Sequence, residues 1–362
     1  MTPMRIAQVA PLYESVPPQA YGGTERVIAA LCDGLTEAGH DVTLFAAGSS
    51  TTQAQLEPVV SAPLRTRMSR AEMIEVAPHL HLRMLADVYA RADEFDVIHA
   101  HTELWTLPFV DSTDTPTVIT MHGRLDLDIV RHVLPRYPDV ALVSISDHQR
   151  RALAGRAVNW AATVYNGLDL DRYLREPAGD AGYLAFVGRL SDEKRPDIAV
   201  EVARRNHRQL RVAAKVDPFD VEYYETEIEP LFADAGVDFL GEMVEQDKPK
   251  FYAGAAATLF PSDWPEPFGL VMTESMAAGT PVIALRRGSV PEILVDGVSG
   301  FICDDVEEMV DAVQRLDEID RDECRQHALQ FTKATMCSNY IDVYEAMVRD
   351  RRCEPSTVAQ AS

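Results

Sequence analysis

Short apolar runs alternate with amphipathic stretches along most of the chain, in two successive series. The first series is RIAQVA (residues 5–10), DVTLFAA (41–47), FDVIHAH (95–101), PTVITM (116–121), ALVSIS (141–146) and ATVYN (162–166). The second is YLAFVG (183–188), LRVAAKV (210–216), VDFLG (237–241), AATLF (256–260) and PVIAL (281–285). Runs that are apolar throughout, not alternating, suit parallel strands covered on both faces. Helical period appears between them. In GGTERVIAALCDGLTEAGH, Val27, Ile28, Leu31 and Leu35 form one stripe, with Thr24 as the expected N-cap and Gly39 at the C-terminal end.

The series breaks at GLDLDRYLREPAGDAG (167–182), which reads as a linker. The predicted fold is therefore α/β, with two Rossmann-like parallel-sheet domains, residues 1–168 and about 178–331, facing a central cleft. A chain of 362 residues agrees, because one core rarely serves more than about 250–300. FTKATMCSNYIDVYEAMVRD predicts a long closing helix, and the last dozen residues are expected to fray.

Composition narrows the function classes. With 46% hydrophobic and 25% charged residues the chain has a globular protein's balance, and no apolar run nears the roughly 18 residues that span a bilayer. The N-terminus lacks the apolar run of a secretory signal, so a cytoplasmic location is expected. A net charge of −23 argues against nucleic acid as partner and against an anionic membrane surface. Two basic clusters, Arg65/Arg67/Arg70 and Arg150/Arg151/Arg156, read as solvated surface or as contacts for lipid head groups or an anionic acceptor. Five scattered cysteines without a CxxC pair suggest neither a zinc site nor a disulfide framework.

Ligands of open parallel sheets bind at the carboxyl ends of strands, so the residues that follow the runs matter most. No GxxxxGK[ST] and no GxGxxG follows a first strand, which lowers the odds of a P-loop enzyme or a dinucleotide-dependent oxidoreductase. Gly22 and Gly23 instead precede a helix, where bare backbone lets an anion approach the first amides. VGRLSDEKRP sets Arg189 and Lys194 in one loop before a helix expected to begin near Pro196, a pairing that suits a diphosphate. FPSDWPEPFGLVMTESMAAGTPVIA (260–284) predicts a helix starting near Pro267, with the amides of Gly269, Leu270 and Val271 in its first turn. Glu266 and Glu274 flank that turn, and a carboxylate can accept from two hydroxyls of a sugar. His122 ends a strand of the first domain, where it either meets a sugar hydroxyl or is structural. The pairs His99/His101 and His79/His81 and the Asp-x-Asp pairs at 126/128 and 169/171 lack the surroundings of metal ligands, so no metal is expected.

These motifs together resemble the retaining GT-B glycosyltransferases of family 4. EPFGLVMTE is similar to that family's E-x7-E, YGGTERV to its N-terminal glycine loop, TMHG to its strand-end histidine, VYNGLD to its hinge and VGRLSDEK to its diphosphate site. The resemblance implies roles. Gly22 and Gly23 lie beside donor phosphate and sugar, Arg189 and Lys194 neutralise the leaving diphosphate, and Glu266 holds the transferred sugar. Phe268, Gly269, Leu270 and Val271 offer backbone to sugar and phosphate, Glu274 binds the ribose, and His122 touches the sugar near its reacting carbon. It also implies no metal or other cofactor, and a closing helix (334–350) that crosses back to the N-terminal domain.

Within the family, APLYESVPPQAYGGTERV (residues 10–27), HGRLD, AAKVD and LRRGSVPE resemble bacterial UDP-glucose:tetrahydrobiopterin glucosyltransferases. That suggests UDP-glucose as donor and leaves the hydroxyl acceptor, a small molecule, glycan or lipid, open. Lys215 departs from the glycine-rich turn common there and is either a donor contact or an ion pair with Asp217. Two other readings are a GT-B nucleotide-sugar epimerase and an inactive nucleotide-sugar-binding protein.

Overall fold

The computed structural model describes residues 2–19, 22–174 and 182–353. Among them two parallel sheets form. The first contains β1 (Arg5–Val9), β2 (Asp41–Ala47), β3 (Gln55–Val60), β4 (Val97–Ala100), β5 (Thr117–Met121), β6 (Ala141–Ser144) and β7 (Asn159–Thr163), in the order β3-β2-β1-β4-β5-β6-β7. The second contains β8 (Tyr183–Arg189), β9 (Gln209–Lys215), β10 (Asp238–Gly241), β11 (Ala255–Phe260), β12 (Val282–Leu285) and β13 (Gly300–Cys303), in the order β10-β9-β8-β11-β12-β13. Each sheet reverses its winding once, between β1 and β4 and between β8 and β11. Such switch points leave a crevice outside the strand ends.

Two strands escaped the hydrophobic pattern. β3 (QLEPVV) carries Glu57 and Pro58 and lies half-exposed at a sheet edge, where apolar continuity is not required. β13 (GFIC) is buried but only four residues long. β7 begins three residues before the expected run, again at an edge.

The first helix, Gly23–Glu37, has Gly22 at the N-cap position with φ 156° and no side-chain cap, so Thr24 sits inside the helix and is not its cap. The glycine is needed there, because a Cβ would stand 2.8 Å from the Pro18 ring. Gly39 follows the helix at φ 89° as expected, its amide donating to the Thr36 carbonyl at 3.0 Å.

The closing helix, Lys333–Cys353, returns to the first domain. Cys337 lies against the Ala30 and Leu31 carbonyls of the first helix, while Tyr340 and Tyr344 are buried under the first sheet. The chain leaves that domain beside the place where it re-enters. The Leu168 amide donates to the Phe331 carbonyl at 3.2 Å, and the Lys333 amide donates to the Leu168 carbonyl at 2.8 Å. Part of the expected linker, residues 175–181, lies outside the described residues, as do residues 354–362 of the expected fraying end. Among the described residues no helix is long and apolar enough to cross a membrane.

At the double crossing, a Cβ on Gly167 would stand 2.2 Å from the Thr332 carbonyl oxygen, a backbone atom with little freedom to yield. Gly167→Ala is expected to lower stability by about 1–3 kcal/mol, as overpacking does. Urea unfolding monitored by circular dichroism reads this directly, and an unchanged midpoint would mean the crossing is looser than drawn.

Candidate functional site

A cavity of about 670 Å³ opens between the carboxyl ends of the two sheets, and both domains line it. Gly22, Gly23, His122, Arg189, Lys194, Glu266, Phe268, Gly269, Leu270, Val271 and Glu274 all lie on its wall. Residues up to 250 positions apart in sequence therefore meet in one place, through the two switch points.

On the second-domain side, β8 ends at Arg189, whose guanidinium lies 3.3 Å from Glu193 and 3.1 Å from Asp220. Glu193 also accepts from Arg124 of the first domain at 3.2 Å. Lys194 closes the short turn Asp192–Lys194, and Arg195 then takes φ 52° so that the next helix starts at Pro196 as expected. The Lys194 ammonium pairs with the Glu266 carboxylate and stands 4.9 Å from the Trp264 ring centroid. Trp264 donates its indole N–H to the same carboxylate at 2.9 Å. Glu266 is thus held by two donors.

The helix after Glu266 begins at Leu270, not near Pro267. Gly269 at φ 83° breaks the backbone just before it, and a Cβ there would meet the Met272 Cε at 2.7 Å. Glu266 consequently stands in the loop before the helix, and Glu274 within it. Leu270 and Val271 still offer first-turn amides toward the cavity.

Glu274 is almost fully buried. Tyr252 donates to it at 2.8 Å, Lys248 stands 3.8 Å away, and Arg26 of the first helix pairs with it across the domain boundary. Burial pushes this carboxyl up, but Arg26, Lys248 and the tyrosine donor outweigh it, and Glu274 stays below the ordinary carboxylate range. Glu245 completes the cluster, accepting from Arg26 at 2.7 Å and from Tyr173 at 2.7 Å. Arg26, Lys248 and Tyr252 were not legible as site residues, because Lys248 and Tyr252 reach Glu274 from a neighbouring helix of the same domain and Arg26 reaches it only across the domain boundary. A further carboxylate, Glu292, accepts from the Asp147 and His148 amides of the first domain at 2.8 and 2.5 Å.

On the first-domain side, His122 and Gly123 follow β5, and both amides donate to Glu103, at 2.8 and 2.7 Å. Glu103 takes φ 48° to reach them, and burial raises its pKa despite the two donors. His122 Nε2 lies 2.9 Å from His101 Nδ1, and burial lowers the His122 pKa to about 4, so the ring is neutral near pH 7. Both ring nitrogens of His99 and of His101 have protein partners, which accounts for the histidine pair without a metal. Among the described residues no group of three or more His, Cys, Asp or Glu is placed to hold an ion.

Farther into the first domain, His81 is buried and accepts from the Leu12 amide at 2.9 Å, with Tyr13 and Trp105 packed on its ring. Arg65 is not a solvated surface residue. It lines the cavity and pairs with Asp217, while Arg67 and Arg70 remain exposed. Lys215 therefore faces Glu14, at 3.5 Å, and Asp217 takes its charge partner from Arg65. Tyr21 of the glycine loop lies outside the described residues.

The Glycosyltransferase Family 4 model matches residues 21–172, and the Glycosyl transferases group 1 model matches residues 175–335. The chain belongs to the GT4-like glycosyltransferases. It is 31% identical over 258 residues to the D-inositol 3-phosphate glycosyltransferase of Corynebacterium kroppenstedtii, a match covering 66% of this chain and 55% of that relative's length. The phosphatidyl-myo-inositol mannosyltransferase of Mycolicibacterium smegmatis is 28% identical, with 86% of this chain and 84% of the relative covered. The structure of Anabaena HepE in complex with UDP-glucose superposes with a TM-score of 0.73 at 20% identity, covering 95% of this chain and all of that one, which speaks for the GT-B fold. As in the GT-B arrangement, the group 1 half of this glycosyltransferase carries Arg189, Lys194, Glu266 and Glu274, and the family 4 half supplies the glycines and His122.

One carboxyl of the glycine loop makes a pH-dependent prediction. Glu25 is buried in the first turn of the first helix, and burial raises its pKa from 4.5 to about 7, with nearby Glu14 adding to the shift. Between those values the unfolded chain gives up the proton before the folded one does. Stability therefore falls as pH rises from about 4.5 to 7 and levels off above, a loss of about 3 kcal/mol. Glu25→Gln is expected to flatten that fall in urea titrations between pH 5 and 7.5. Parallel profiles for the two proteins would refute it.

Proposed function

We propose that this chain transfers a hexosyl group, most simply glucosyl from UDP-glucose, to an acceptor hydroxyl with retention at the anomeric carbon and without a metal. The observation that carries the reading is one cavity in which Arg189, Lys194 and the Leu270 helix start from one domain face Gly22, Gly23 and His122 from the other. The sequence resemblance to UDP-glucose-using glucosyltransferases supports the donor. The relatives named above, a D-inositol 3-phosphate glycosyltransferase and a phosphatidyl-myo-inositol mannosyltransferase, support transfer to a hydroxyl. Among the described residues, Cys32, Cys303, Cys324 and Cys337 are free and buried, which suits a reducing cytoplasm.

In this mechanism charge grows on the leaving β-phosphate as the anomeric bond breaks. Arg189, Lys194 and the first-turn amides stabilise that charge more than they stabilise the intact donor, which is what accelerates the step. Lys194 and Trp264 hold Glu266 in place, ready to accept from hydroxyls of the transferred sugar. The acceptor hydroxyl attacks on the same face from which the phosphate departs, and the departing phosphate takes its proton, so no protein nucleophile is required. Glu274 binds the ribose hydroxyls, exchanging part of its contact with Arg26 as the donor enters. Domain closure excludes water and limits donor hydrolysis.

The test combines binding with turnover. Thermal unfolding against UDP-, GDP- and ADP-glucose and GDP-mannose is expected to show stabilisation of about 2.7 kcal/mol at 100 times the dissociation constant, with UDP-glucose alone. Lys194→Ala is expected to lower kcat by about 100-fold while changing donor affinity far less, in keeping with loss of one charge-stabilising donor. Glycosylated product identifies a transferase, a sugar isomer formed without acceptor identifies an epimerase, and binding with neither identifies a sensor. Wild-type kinetics in Lys194→Ala would remove the assignment of that lysine.

A further inference from the structure

A buried chain of polar groups runs from the closing helix to His122, and its hydrogen-bond directions can be worked out. The Gln8 side chain, fully buried on β1, donates from Nε2 to the Tyr344 hydroxyl at 3.1 Å. With Gln8 as its donor, Tyr344 satisfies its own O–H by donating to its other partner, His99 Nδ1, at 2.6 Å. His99, neutral because burial holds its pKa well below the ordinary value, carries its proton on Nε2 and donates to Thr120 Oγ1 at 2.7 Å. Thr120 in turn meets the Tyr340 hydroxyl at 2.9 Å.

The other end of the Gln8 amide settles the second branch. Its Oε1 is an acceptor, so His101 Nε2, at 2.9 Å, carries a proton. A neutral His101 then has a bare Nδ1, which at 2.9 Å accepts from His122 Nε2–H. That consumes the one proton of a neutral His122. Its Nδ1 is left as a lone pair, with no protein partner among the described residues, on a ring that lines the cavity. Reversing the Gln8 amide would reverse every bond in the array. His101 would donate from Nδ1, and His122 would carry its proton on Nδ1 instead. Tyr344, carried on the closing helix, couples the Gln8 amide to His99, so the two branches turn together.

We propose that Gln8 and Tyr344 are positioning residues that hold His122 with its proton on Nε2, so that a bare Nδ1 accepts a hydrogen bond from a hydroxyl of the donor sugar. This rests on the reading of His122 as a donor-sugar contact. It adds a consequence that His122 alone does not carry. The ring selects for a donating hydroxyl at that position of the sugar and cannot act as a proton donor there. The closing helix, remote from the substrate, becomes part of the specificity of the site. A purely structural role for the network would require only that its polar groups be satisfied, in either direction.

The test needs no activity to begin. Long-range 1H–15N spectra of histidine-labelled wild type at pH 7.5, with His122 assigned by its loss in His122→Asn, are expected to show bare Nδ1 and protonated Nε2. The opposite tautomer, or an imidazolium, overturns the proposal. Gln8→Leu cuts the chain and Tyr344→Phe removes one oxygen with little change of shape. In both, His122 is expected to become a mixture of tautomers, with kcat about tenfold lower, the effect of one misdirected hydrogen bond, and donor KM within about threefold. An unchanged His122 spectrum in folded Gln8→Leu overturns the relay whatever the activity. If Gln8→Leu does not fold, Tyr344→Phe and the wild-type spectrum still decide. Should the expected tautomer be found in a protein that transfers sugar from no nucleotide sugar, the relay stands and the transferase reading fails.

Discussion

The cleft depends on the chain crossing between its domains twice at one place. Leu168 bonds to both Phe331 and Lys333, and Gly167 lies so close to Thr332 that no side chain fits between them. Because the outgoing and returning strands of the connection share that point, the carboxyl ends of the two sheets are tethered face to face. A single flexible linker would leave them free to separate over many orientations. The short aromatic cluster of Tyr165, Phe268 and Phe331 packs at the same spot, tying the Glu266 loop to the crossing.

That constraint explains why charged groups are so deeply buried here. Glu274 would be costly to bury alone, and it remains ionised because Lys248 of its own domain stands by it and Arg26 reaches it from the other when the domains meet. The pairs Arg65–Asp217 and Arg124–Glu193 bridge the same boundary, and Glu292 holds amides of the other domain. Arg26–Glu274, Arg65–Asp217 and Arg124–Glu193 each match one domain's charge to the other's. The cleft is lined with opposite charges that a diphosphate and sugar hydroxyls can partly replace. A surface built only for rigid docking would favour apolar contact instead.

The closing helix serves the chemistry as well as the architecture. Its buried tyrosines join the polar array under the first sheet that ends on His122, while its other neighbours pack against the first helix behind Gly22 and Gly23. Both first-domain parts of the site are therefore braced by residues more than 200 positions downstream. Bracing of this kind keeps a small polar site ordered while the second domain moves during closure.

Much of this was legible in the amino-acid order. Continuous apolar runs predicted eleven of the strands, because a strand buried on both faces cannot afford polar positions. Glycine and proline punctuation placed the loops, since Gly22 and Gly269 occupy backbone conformations other residues avoid. The residues singled out for chemistry came from those loops, from the strand end before one of them and from the helices that follow. Edge strand β3 was hidden because exposure removes the apolar requirement. Only the tertiary structure decided the partners: Arg26 on Glu274, Glu103 under His122, Gln8 and Tyr344 behind His101. Side-chain pairing depends on distances that strand periodicity does not encode: Arg26 and Glu274 meet only when the two domains close, and Gln8 meets Tyr344 only when the closing helix returns to the first sheet.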